Sequence, residues 1–74
     1  MQLLDALADD ILNVLPFGGF YRRAYDIAQL VAPLREREVC STIRDLVKRG
    51  HLRVNRAGGG WPATYGRRPF LRKF

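Results

Sequence analysis

The chain is 74 residues long and 47% apolar, with a formal net charge of +6, enough to fold one small core but too short for a large cofactor or substrate cavity. A single cysteine, Cys40, and a single histidine, His51, exclude an internal disulfide and argue against a metal site built from soft ligands. No apolar run approaches the ~20 residues of a membrane span, and the N-terminus carries Asp5, Asp9 and Asp10 where a secretory leader has a basic flank, so the expectation is a cytoplasmic protein, away from membranes and without cofactor or metal.

The first predicted element is a helix over about residues 2–15. Leu3, Leu4, Leu7, Ile11, Leu12 and Leu15 recur at helical spacing and form one apolar face, while Asp5, Asp9, Asp10 and Asn13 fill the rest. Pro16 ends it, and Phe17-Gly18-Gly19-Phe20 reads as a loop with two aromatic anchors. Tyr21-Arg22-Arg23 leads into a second helix at about 24–31, with Tyr25, Ile27, Ala28, Leu30 and Val31 covering one side. Arginines at a helix start oppose the dipole. Such a cost fits a phosphate clamp built from Arg22, Arg23 and the helix amides, or two exposed arginines with no role.

Ala32-Pro33-Leu34 breaks this helix, and a third runs over about 35–49. A turn this short between two helices is helix-turn-helix spacing. Val39, Ile43, Leu46 and Val47 share the inner face of the third helix, and Cys40 lies at its border. Lys48 and Arg49 suit the negative end of the helix, and Gly50 is placed to leave it through a left-handed conformation. Arg35, Arg37, Ser41, Thr42 and Arg44 are the candidate base-reading groups, since Arg pairs with guanine edges and Ser or Thr with several bases. Glu36, Glu38 and Asp45 on the same helix would repel any phosphates that they faced.

After Gly50 the period changes to two. Leu52 and Val54 alternate with Arg53 and Asn55, residues 56–62 form a Gly-rich tip, and residues 63–67 return as a second strand. The expected hairpin spans about 51–67, with Gly58, Gly59, Gly60 and Trp61 at its tip. The three glycines are not a nucleotide-binding loop, because Trp-Pro follows them where Lys-Ser or Lys-Thr and a helix are needed. Trp61 either anchors the hairpin on the body or lies along a sugar-phosphate backbone. Packing is favoured, because an exposed tryptophan is costly without a partner. Residues 68–74 form a basic tail containing Phe70, Leu71 and Phe74.

Charge is distributed unevenly along these elements. Residues 1–20 contain three Asp and no basic residue, whereas residues 46–74 contain eight Lys or Arg and no acid. Such a half is an electrostatic footprint for a polyanion. The pattern Val39…Ile43…Leu46…Gly50…Leu52, followed by Arg56-x-Gly-x-Gly-x-Pro-Ala-Thr-Tyr65, resembles the passage from reading helix to wing in winged helix-turn-helix domains of small bacterial and phage regulators. The resemblance covers about Tyr21 to Arg67. It implies an α+β fold of three helices with a C-terminal two-stranded hairpin wing, and the length of the chain makes residues 1–67 a single domain. It also implies DNA binding by the third helix in a major groove, with wing contacts alongside. Arg37, Ser41 and Thr42 are the carried-over helix positions, and Arg53, Arg56 and Arg67 those of the wing.

The leading expectation is therefore a non-catalytic regulator of transcription or replication that binds double-stranded DNA. Arg22, Arg23, Lys48, Arg49, Arg53, Arg56, Arg67 and Arg68 would contact phosphates, and the third helix would read bases. A two-fold operator would require a homodimer, through helix 1 or the tail. The alternative is a winged interaction module whose basic hairpin and tail engage an acidic protein. RNA binding through Trp61, Tyr65 and arginine stacking is a weaker third reading. Catalysis lacks a convergent site, and Asp9 and Asp10 read as the solvated face of a helix.

Overall fold

A computed structural model describes residues 5–16, 21–56 and 58–68. The order of elements is α1 (Ala6–Asn13), β1 (Tyr21–Arg23), α2 (Ala24–Val31), a single 3-10 turn (Pro33–Arg35), α3 (Glu36–Lys48), β2 (Leu52–Asn55) and β3 (Thr64–Arg67). Three helices lie against a three-stranded antiparallel sheet of order β1-β3-β2. Among the described residues, no helix is long and apolar enough to cross a membrane.

The helices begin and end where local chemistry requires. Asp5 caps α1, its Oδ1 accepting from the Ala8 amide at 2.8 Å, which satisfies one of the amides a helix start leaves open. Arg35 N–H donates to Ala32 O at 2.9 Å, closing the 3-10 turn in which Pro33 needs no donor of its own. At the far end of α3, Gly50 adopts φ +87°. The His51 amide reaches back to Leu46 O at 2.9 Å, and the Gly50 amide to Val47 O at 3.1 Å. This paired arrangement satisfies carbonyls that a helix end leaves open, and it requires the left-handed residue.

The core draws on every helix and on one strand. Ile11 and Leu15 from the α1 region, Ile27 and Ala28 from α2, Val39, Ile43 and Leu46 from α3, and Leu52 from β2 are all buried. The inner face predicted for α3 is the inner face found. The face predicted for α2 was too wide. Ile27, Ala28 and Val31 turn inward, whereas Tyr25 and Leu30 are exposed, because at ~100° per residue they fall beyond that stripe.

The sheet corrects the expected two-stranded hairpin. Tyr21-Arg22-Arg23 is a strand, pairing with β3 as Tyr21↔Gly66, Arg22↔Tyr65 and Arg23↔Thr64. The predicted hairpin pairs as expected in direction, with Leu52↔Arg67 and Asn55↔Thr64 at its ends. Residues 17–20 and 69–74 lie outside the described residues, so the predicted aromatic loop and all of the tail except Arg68 are not described. The same holds for Leu3 and Leu4.

Candidate nucleic-acid interface

Strand alternation sorts the arginines of the sheet. Residues directly opposite in an antiparallel pair share a face. Leu52, Val54, Tyr65, Arg67 and Arg22 therefore face the helices, while Arg53, Asn55, Thr64, Tyr21 and Arg23 face outward. Arg22 Nε donates to Val14 O at 3.2 Å, and Arg67 Nε donates to Leu12 O at 3.1 Å. Both oxygens belong to the C-terminal end of α1, which has no basic residue in its own last turn. Two cations borrowed from the sheet thus meet the negative end of that helix dipole. Arg22 and Arg23 point to opposite faces and form no joint clamp. Arg23 Nε instead pairs with Asp26 Oδ2 at 3.2 Å.

On α3, exposure and pairing divide the surface lengthwise. Arg37, Ser41, Arg44 and Lys48 follow i, i+4, i+7, i+11 spacing and make one exposed stripe. The flank beside it carries Glu38 and Asp45, each already paired. Arg35 grips Glu38 with two hydrogen bonds, of 2.9 and 2.8 Å, and Arg49 Nε lies 3.0 Å from Asp45 Oδ2. The hydrogen bond first, and the guanidinium charge second, hold the Glu38 carboxyl below its ordinary range and Arg35 above its own. The acids that would repel phosphates are therefore gathered on one flank with their own counter-charges, and the Arg37–Lys48 stripe contains none. Glu36 stays at the helix start, where negative charge suits the dipole.

The predicted base-reading residues do not all come together. Arg35 is committed to Glu38, and Thr42 is half-buried on the flank facing α1. Ser41 borders both regions, because it also lines the open clefts beside Asp5. Among the described residues, Arg37, Arg44, Lys48, Arg53, Arg56 and Arg68 make no ion pair or side-chain hydrogen bond. Three of these stand on the α3 stripe, and the others on β2 or just beyond the ends of β2 and β3.

The hairpin tip overturns the expected packing of Trp61. Its residue is 74% exposed, and the turn that carries it points it away from the core. Gly58, Gly59 and Gly60 all have positive φ, at 77°, 60° and 81°. The Trp61 amide closes the turn on Gly58 O at 3.1 Å. Also unforeseen are Leu34, 98% exposed within the short turn between α2 and α3, and Leu30, 55% exposed near the end of α2; the helical wheel of α2 could have flagged Leu30. No protein-family model, curated protein or solved structure matches this chain.

Proposed function

We propose that this chain is a winged helix-turn-helix protein that binds duplex DNA and does no catalysis, a regulator of transcription or replication working in the cytoplasm. The α3 stripe of Arg37, Ser41, Arg44 and Lys48 carries the reading. It offers hydrogen-bonding and cationic groups to a major groove and contains none of the acids that would repel phosphates. Further support comes from the short turn joining α2 to α3 and from a hairpin directly after α3, with Arg53 and Arg56 unpaired along it. Arg37 and Arg44 read bases, while Lys48, Arg53, Arg56 and Arg68 contact phosphates. Arg22 and Arg67 serve the fold first, through the end of α1.

Selection from a random duplex pool, with sequencing of the retained fraction, tests this directly. The expected result is an enriched motif, and its symmetry shows whether one chain or a pair is bound. Absence of any duplex binding at low salt sinks the reading. One observation favours a second reading. Leu34, Leu30 and Trp61 are more exposed than a free surface favours, which suits a module that docks on another protein, here an acidic one. Recovery of a single stoichiometric acidic protein after nuclease treatment, with no enriched duplex, supports that reading over the first.

A further inference from the structure

We propose that Trp61 is a wedge: its ring enters the minor groove of the bound duplex, stacks at one base step and bends the DNA. The proposal rests on the duplex-binding reading above and specifies how the hairpin tip meets its partner. Trp61 is the only tryptophan of the chain, and leaving most of so large a ring in water is unfavourable unless a partner covers it. The turn beneath the ring has three consecutive glycines at positive φ, closed by a hydrogen bond from the Trp61 amide to Gly58 O, and the proline ring of Pro62 fixes the next φ.

The surroundings say what kind of partner fits. Beside the tip runs a groove of about 490 Å³, lined by Arg23, Ala24, Tyr25, Pro62, Ala63 and Tyr65. Its walls offer aromatic and aliphatic surface, and Tyr25 is itself 56% exposed. Arg23, the one charged residue that lines the groove, is paired with Asp26, while no acid follows Asp45 in the chain and Arg53 and Arg56 of the hairpin are unpaired. An apolar peptide or a lipid tail would satisfy the rings but not the cations. A polyanion with planar faces satisfies both. Apolar side chains that enter the minor groove unstack a step and kink the duplex by about 20–90°.

The full chain is titrated at low salt into a mixed-sequence DNA duplex carrying a donor and an acceptor dye at its ends. Emission from the sole tryptophan should be quenched and shielded from acrylamide, and energy transfer between the duplex ends should rise. Trp61→Ala should keep its helical circular dichroism, bind about tenfold more weakly and leave the duplex straight. Trp61→Phe should retain most of the affinity and of the bend. Equal binding by wild type and Trp61→Ala, without quenching or bending, refutes the wedge and leaves duplex binding standing. Quenching without bending also refutes it, since the ring then lies along the backbone. If the wild type binds no duplex and an acidic protein shields Trp61 instead, the wedge and the DNA-binding reading fall together.

Discussion

Glu38 accepts two hydrogen bonds from Arg35, and Asp45 is paired with Arg49, so α3 carries its own counter-charges on the flank away from Lys48. The Glu38 pKa is lowered in the folded chain. The contribution of this pair is therefore present above the ordinary carboxyl value and is lost as pH falls through the lowered one. A carboxyl-detected NMR titration should place the Glu38 midpoint below 4.5, and Arg35→Ala should return it towards 4.5. Overall stability should change little, because both side chains are exposed. At the same scale, Arg37 and Arg44 are distinguished from Arg53 and Arg56 by the element on which they stand. Arg37→Ala or Arg44→Ala should relax the preferred sequence, removing about 1–3 kcal/mol of discrimination at one base pair. Arg53→Ala or Arg56→Ala should weaken binding to all sequences alike. Competition binding against matched and mismatched duplexes separates the two, and equal behaviour of all four variants would remove the assigned roles.

At the scale of elements, the passage from α3 to β2 depends on Gly50. Nothing lies within 4 Å of where a Cβ would stand, so a substitution there meets only backbone strain at φ +87°. Gly50→Ala should lower stability by about 1–2 kcal/mol in urea denaturation, and Gly50→Asn by less, since asparagine tolerates the left-handed region. An unchanged midpoint for Gly50→Ala would mean that the helix end had rearranged. This passage was legible in the sequence because its signals are local: apolar spacing over Val39, Ile43 and Leu46, then cations, then Gly. The bounds of α2 and the two arms of the hairpin were legible for the same reason. β1 was not. A three-residue strand has almost no periodicity, and Tyr21-Arg22-Arg23 becomes a strand only because β3 offers it an edge. The candidate site was legible as a set of cations but not in its division, because whether an arginine is free or bound to a carbonyl 55 positions away is decided by packing.

For the whole molecule, the proposed duplex binding rests on the sum of the cations that the fold leaves unpaired. With about six phosphates neutralised, the slope of log affinity against log salt should be about −5, and charge reversal at Arg53 and Arg56 should flatten it. A slope near zero in a salt titration would mean that the basic surface is not the binding surface. Arg22→Ala and Arg67→Ala should instead act through stability, since their Nε atoms tie the sheet to the end of α1. The strand order has a consequence for how the protein is made. Among the described residues, β3 is the last strand in sequence and the middle strand of the sheet. On the ribosome, β1 emerges early and then waits through α2, α3 and β2 for β3, on which it pairs. The helices can gather round their shared core before this, but the sheet closes only once Arg67 has left the exit tunnel. A message cut just before the codons for 64–67 thus yields a polypeptide with the α3 stripe intact and with both β1 and β2 lacking the strand on which they pair.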